Sequence, residues 1–445
     1  MTNELTGRPW SRRSFLKAGA GLGAAGLAGL PLTAARAESA AMNFMQFIGP
    51  GGPAKTQSDW IVQLVDAWNS AHDEKVSLEY VPDSEYIGGT KLSSSFASGA
   101  GPDVFLISPG DFLRYYNGGV LADLSPFIEP AARADFPETV IANRMVDGKI
   151  FGVPMEVEPM AFYYSVKAFE DAGLSEKDVP KTWDELLEIG KKLTTSDRYG
   201  LLFETAPGYY QNFTWYPFMW QGGGEFQDAS GKSTFDSPAT VAALKLWQDA
   251  VASGAAPRQA LGGGGSDIVA NLGSGYCAIQ NMGIWGISDM ANNAPDFKYG
   301  VFRLPVPTGG KYVTVGGGWA FVANARGRNP EAAGRFIAWA LASMSPDSIQ
   351  RVVDWCTVAK SDMPPRDSAL KAGAAAFDKG ELGVFTREIH PGTRAEPRLP
   401  PEVYKSISDA IQGAMLGGVD AAEAARTASQ QIDGFLATYK GAPLL

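Results

Sequence analysis

Two carboxylates two residues apart, Glu156 and Glu158, stand in the Pro-punctuated run GKIFGVPMEVEP at residues 148–159. On an extended strand, side chains at i and i+2 share one face about 7 Å apart. Such a pair can accept hydrogen bonds from a polar ligand or serve as an acid/base couple. Retaining glycosidases hold their carboxyls about 5–5.5 Å apart and flanking the scissile bond, whereas parallel side chains do not straddle a bond, so ligand holding is the reading preferred for Glu156. Asp111 lies in the loop Pro109-Gly110-Asp111 behind the apolar stretch GPDVFLIS at 101–108, as a polar contact or as a helix cap. Asn281 and Gln46 offer amides of the same use. Trp215 and Trp220 in YYQNFTWYPFMWQGGG, Trp285 in NMGIWG and Trp319 in GGGWAF sit among glycines or other aromatics. An indole gives a flat apolar wall with one N–H, and carboxylates and amides read hydroxyls. The combination suits reversible holding of a hydroxyl-rich ring. Plain core packing is the alternative for each tryptophan, but glycine neighbours let backbone approach a ligand, which favours Trp285 and Trp319 and keeps Trp220 as a candidate. Trp60, Trp68, Trp247 and Trp339 fall on helical core stripes and read as packing.

Other chemistries lack their residues. His72 and His390 are the only histidines and Cys277 and Cys356 the only cysteines, which leaves a Cys/His metal site almost without ligands and weakens His-based catalysis. No metal, no cofactor and no catalytic residue is expected. The SGKS at 230–233 is not a phosphate loop, because Phe226 stands where the motif needs a glycine and a strand-like TF follows. The four glycines 262–265 read as a flexible loop. The two thiols stay open between a disulfide and buried free cysteines.

The elements that must position these residues alternate between strand and helix. A strand fits 43–48, and Trp60, Ile61, Leu64, Val65 and Trp68 recur at helical spacing across 56–71. Residues 101–108 read as a buried parallel strand. Thr182 three residues before Glu185 forms a capping box, Ser237-Pro238 and Asn329-Pro330 open two further helices, and Gly254 closes one. At 445 residues, with 45% hydrophobic and 19% charged side chains, the chain exceeds one compact core and calls for two α/β lobes.

The first residues read as an address. SRRSFLK leads into a Gly/Ala run with five glycines, then Pro31, then the small-x-small pattern Ala35-Arg36-Ala37. A spanning helix needs about 20 strongly apolar residues, so this run makes a poor anchor. It resembles a twin-arginine export signal over residues 1–37. No cysteine follows it to carry a lipid, so a freely soluble periplasmic protein is expected. Removing 1–37 takes away five of the 38 basic and one of the 48 acidic residues, leaving 33 against 47. That acidity argues against nucleic acid or anionic lipid as partners.

From about residue 88 to 370, nine segments follow one another in the order of a known family. They include KLSSSFASGAGPDVFLIS, NGGVLADLSPFI, GKIFGVPMEVEPMAFYYSVKAFEDAGL, PKTWDELLEIGKKL, FRLPVPTGG and GGGWAFVANARGRNPEAAGRFIAWAL. The chain resembles the extracellular solute-binding proteins of ABC sugar importers, which are maltose-binding-protein-like. Cys277, at a usually small apolar position, and the twin-arginine signal depart from the family pattern. The resemblance implies a two-lobed α/β periplasmic-binding-protein fold (type II-like) with the ligand cleft between lobes. The chain would cross between lobes near 153–158 and return near 303–307, with 38–154 plus about 303–345 in lobe 1 and about 155–302 plus 346–445, C-terminal helices included, in lobe 2. It further implies closure around a ligand, a small-molecule carbohydrate or polyol, delivered by a monomer to the membrane permease subunits. Strand ends facing the cleft would bring Glu156 and Asp111 to it, with an interlobe ion pair as the plainer role for Glu156. Arg366, in PPRDS, matches a family position near the cleft, where its fork could grip hydroxyls or stand free on the surface. A glycerophosphodiester, polyamine or peptide ligand on the same architecture, and a secreted carbohydrate-active enzyme, are the alternatives.

Overall fold

Among the described residues, eleven of thirteen strands build two large sheets and the other two a small pair of their own, and the chain passes from one large sheet to the other at places with no local strand-turn grammar. The computed structural model describes residues 41–50, 54–87 and 89–445, so the signal expected over 1–37 lies outside the described residues. In chain order the strands are β1 (Met42–Gln46), β2 (Val76–Tyr80), β3 (Val104–Ile107), β4 (Met145–Val146), β5 (Lys149–Ile150), β6 (Val153–Pro154), β7 (Glu158–Ser165), β8 (Tyr199–Leu202), β9 (Cys277–Gly283), β10 (Tyr299–Phe302), β11 (Thr314–Gly317), β12 (Ala320–Ala323) and β13 (Thr393–Ala395).

The first sheet runs β2-β1-β3-β12-β6, with β1 parallel to β2 and β3, and β12 antiparallel to β3 and β6. All four residues of β3 are buried, as a strand covered on both faces requires. Helix Lys55–Ala71 lays Trp60, Ile61, Leu64, Val65 and Trp68 on this core. The second sheet runs β13-β11-β7-β9-β8, with β10 also on β7. Its axis is β7, eight residues all buried, with apolar clusters on both faces. Helix Trp183–Leu193 begins with the Thr182/Glu185 capping box and ends on Lys191 and Lys192, charges suited to its C-terminal dipole. Ser237 and Asn329 cap helices Pro238–Ala252 and Pro330–Leu341 by accepting from Thr240 N and Ala332 N. Helix Tyr209–Gln221 is buried from Gln211 to Gln221 despite Pro217 inside it. Helices Pro401–Met415 and Ala421–Leu436 close the second lobe.

Residues 155–157 link β6 to β7 and so make the first crossing. The return differs from the 303–307 expected. Strands β10 and β11 pair with β7, which keeps residues 299–317 in the second sheet, and the chain re-enters the first at 318–319. Gly318 makes that crossing, with φ at +115° and room for a Cβ only 2.5 Å from Glu156 O. No other residue fits there. Helix Pro346–Asp354 and the turn Trp355–Ala359, expected in lobe 2, pack on helices Pro330–Leu341 and Lys55–Ala71 of the first lobe. The expected boundary failed because these helices carry no signal of which sheet they cover. The chain reaches β13 in the second sheet only after 360–363.

Cys277 lies in the second lobe's core and Cys356 in the first; both are free and buried. Among the described residues no helix is long and apolar enough to cross a membrane.

Candidate functional site

The first crossing delivers two acids to one cation. Glu156 and Glu158 point to the same side because they are two apart on extended chain, and residues 360–363 run alongside through the Val157–Met363 bridge, with Val157 N donating to Met363 O at 2.8 Å. Lys360 Nζ donates to Glu156 Oε2 at 3.1 Å and to Glu158 Oε1, and stands 3.1 Å from Asp362 Oδ2. Glu156 is fully buried; it also accepts from Trp355 Nε1 at 2.5 Å and from Trp319 N at 3.2 Å. Burial alone would raise its pKa, but the Lys360 ammonium and these donors hold it below the ordinary glutamate value. Asp362 has the reverse balance. Burial and the charges of Glu156 and Glu158 outweigh Lys360 and push its pKa well up, and both its oxygens are buried without a hydrogen-bond donor. Lys360 is kept protonated by its three acids in spite of burial. Burial raises Glu158 to about 7, with Glu156 adding and Lys360 opposing. Its Oε1 binds Lys360, and its side chain keeps 10% of its surface open.

Aromatic walls meet this cluster from both lobes. Trp319, just after the second crossing, stands edge-on to Phe47 of the loop after β1, centroids 4.6 Å apart. Trp285, after β9, packs against Gly283, where a Cβ would fall 1.8 Å from Cζ3 of the indole. Tyr210 stands 6.1 Å from Trp285, and Lys360 Nζ is 5.8 Å above the Trp285 ring. A continuous path therefore runs from Trp319 N–H through Glu156 and Lys360 to the face of Trp285. Asp289 follows Trp285 by four residues; burial raises its carboxyl to about 6, against the pull of Lys360.

Asp111 borders a different part of the interlobe space. A cavity of about 360 Å³ lies between Asp111 and Arg114 of helix Pro109–Asn117 and Gly208, Tyr209, Tyr404 and Lys405 of the second lobe. Burial raises the Asp111 pKa against the pull of Arg114, whose Nη1 is 3.3 Å away. Beside this cavity the lobes touch: a Cβ on Gly110 would lie 1.9 Å from Cε2 of Tyr209. Glu396, just past β13, is buried facing the Tyr209 hydroxyl, and burial pushes it up to about 8 despite Tyr209 and Arg144.

The structure thus brings Glu156, Trp285 and Trp319 together, sets Asp111 at the neighbouring cavity and Gln46 at the end of β1. Gln46 Oε1 accepts from Ile48 N at 2.6 Å and from Gly49 N, while its Nε2 is buried without a partner. Three expected residues go elsewhere. Trp220 lies in the second lobe's core, stacked on Tyr216 and covered by the Arg394 guanidinium 4.4 Å from its ring. Asn281 turns inward on β9 and donates to Thr214 O at 3.1 Å. Arg366 is neither free on the surface nor open to a ligand: its N–H groups hold Asp135 Oδ2 at 2.7 Å and the carbonyls of Leu341 and Ser343 at 3.0 Å each. Sequence reasoning missed Glu158 as a ligand candidate in its own right, along with Lys360, Tyr210 and Phe47. Only Glu158 carried a signal, its i+2 relation to Glu156.

Two lobes joined by strand crossings, with polar and aromatic groups gathered between them, define the two-lobed periplasmic-binding-protein fold. Residues 53–344 match the family model of bacterial extracellular solute-binding proteins, and the chain belongs to that family. A probable ABC transporter-binding protein of Deinococcus radiodurans is 28% identical over 403 residues, 84% of this chain and 89% of that one; other curated relatives are matched over about half of their length. Among solved structures, a solute-binding protein of Thermotoga lettingae bound with α-D-tagatose superposes with a TM-score of 0.76 at 22% identity, covering 89% of this chain and 99% of that one. The cyclic α-maltosyl-1,6-maltose binding protein of Arthrobacter globiformis gives 0.72 at 23% identity, covering 89% and 98%. The chain is thus a bacterial extracellular solute-binding protein.

Proposed function

We propose that the solute is a sugar, mono- or oligosaccharide, or a polyol, captured between the lobes of a periplasmic monomer and handed to the membrane permease with its bonds intact. The observation that carries this reading is the convergence of Trp319 and Trp285, one from each lobe, on the Glu156–Lys360–Glu158 cluster. Indole faces take the C–H side of a sugar ring, and Glu158, Asp289 and the Asp111 cavity supply acceptors for its hydroxyls. Glu156 acts through Trp319, whose backbone it fixes. Similar structures, one bound with α-D-tagatose and one of a cyclic α-maltosyl-1,6-maltose binding protein, support the choice. Export through the twin-arginine route, without a lipid anchor, belongs to the same proposal.

A phosphodiester solute fits this cluster less well, since Lys360 is its cation and three acids already hold it. Hydrolysis fits less well too. Glu156 and Glu158 grip one ammonium from the same side, which leaves no gap for a glycosidic bond between them.

A thermal-shift screen over mono-, di- and trisaccharides, polyols, glycerophosphodiesters and amino acids tests the reading. A carbohydrate at a hundred times its Kd should stabilise the protein by about 2.7 kcal/mol, and prolonged incubation should return it unchanged. Stabilisation by phosphodiesters or amino acids alone, or appearance of cleavage products, would overturn it.

A further inference from the structure

A second cavity, about 320 Å³, lies at the hinge and shares none of Trp285, Trp319, Glu158 or Lys360. Thr139 and Arg144 of the first lobe and Gly316, His390 and Thr393 of the second contribute to its walls. Arg144 is only 2% exposed. Its Nη1 donates to Val140 O and Asn143 Oδ1 at 2.9 and 2.8 Å, and its Nη2 to Gly318 O at 2.7 Å, on the second crossing. Its Nε–H is buried without a partner, and among the described residues no carboxylate is salt-bridged to it. Burial pulls its pKa down to about 10, and Glu396 leads the charges that oppose this, ahead of Glu156 and Glu158. A buried guanidinium with an unused donor and no ion pair is costly, and an anion in reach would relieve it.

We propose that this cavity is a binding site for a small oxyanion, a tetrahedral phosphate or sulfate or a carboxylate, attracted by the Arg144 charge in its wall and held by the polar groups of Thr139, His390 and Thr393. Guanidinium forks match such groups geometrically. His390 Nδ1 is 3.4 Å from Thr393 Oγ1, and burial lowers its pKa, so it acts as a neutral ring that can offer one N–H. Arg366 also borders the space, but its donors are engaged. Asp367, exposed at the rim, is the opposing charge and limits affinity. Because the walls come from both lobes and Arg144 touches the Gly318 crossing, occupancy depends on the interlobe angle. The anion and the cleft solute must then change each other's affinity by the same factor.

The test uses the protein without cleft solute, so it stands apart from the sugar reading. Melting temperature is followed against phosphate, sulfate and acetate, with ionic strength held constant by sodium chloride. A saturable rise is expected in the unmodified protein, shifted to about three- to tenfold lower anion concentration in Asp367→Asn and abolished in Thr139→Glu, an exposed position where a tethered carboxylate competes. Arg144→Met should abolish it as well, and the two rim variants keep the test valid if that buried change unfolds the chain. The rank of phosphate, sulfate and acetate names the preferred oxyanion. A rise that never saturates, one equal in all variants, or none at all would overturn the site.

Discussion

Glu158 is the side chain through which solute affinity should sense pH. Its carboxyl is raised to about 7 by burial beside Glu156, and hydroxyl donors prefer the ionised form. Affinity for the best carbohydrate should therefore rise as pH passes through 7 and level off above it. Glu158→Gln should remove that slope and weaken binding by about 10- to 100-fold, the ~1.5–3 kcal/mol of a hydrogen bond to a charged group; titration calorimetry between pH 5.5 and 8.5 would check both, and an unchanged slope would place the sensor elsewhere. Trp285→Ala and Trp319→Ala should each cost a similar factor through ~1.5–3 kcal/mol of lost apolar contact. Trp220→Phe should leave affinity unchanged, since Trp220 packs in the core of the second lobe. The contrast among these tryptophans marks what residue types alone could show. Glycine neighbours pointed to Trp285 and Trp319, but a helix buried on all sides, such as Tyr209–Gln221, has no polar face to reveal which way Trp220 turns. Lys360 meets Glu156 across 204 positions of sequence, a pairing that only the crossing creates.

At the scale of elements, the contact of helix Pro109–Asn117 with the start of helix Tyr209–Gln221 should limit closure. Gly110→Ala would put a methyl 1.9 Å from the Tyr209 ring, so the lobes could not approach fully. Solute affinity should fall by about 10- to 100-fold, in line with ~1–3 kcal/mol for overpacking. Tyr209→Ser should restore much of it in the double variant, a coupling that binding measurements on the four proteins would expose. Local grammar was readable here. The Thr182/Glu185 box, the Ser237 and Asn329 caps and the core stripe of helix Lys55–Ala71 all follow from short-range spacing. The second crossing was not, because β10 and β11 join β7 by long-range pairing, and nothing within residues 303–319 says which sheet will take them.

For the molecule as a whole, the buried acids set how stability varies with pH. Glu396, Glu158 and Asp289 are raised to about 8, 7 and 6, so the folded chain holds protons that the unfolded chain has already released. Their contribution to stability is complete below the ordinary carboxylate range and is lost as pH climbs through 6 to 8. Glu396→Gln should melt like the unmodified protein at pH 4.5 and higher than it at pH 8.5, by the order of 2 kcal/mol for a buried carboxyl spared ionisation; equal melting at both pH values would contradict the assignment. The central claim, though, is that a carbohydrate draws two lobes together around it, shifting population toward the closed form by its differential affinity. Small-angle scattering measures this most directly. The radius of gyration of the Gly110→Ala variant and of the unmodified protein should be compared with and without the carbohydrate that stabilises best. Saturable compaction is expected in the unmodified protein and a smaller one in the variant, whereas tight binding with no change in radius in either would contradict closure around the ligand.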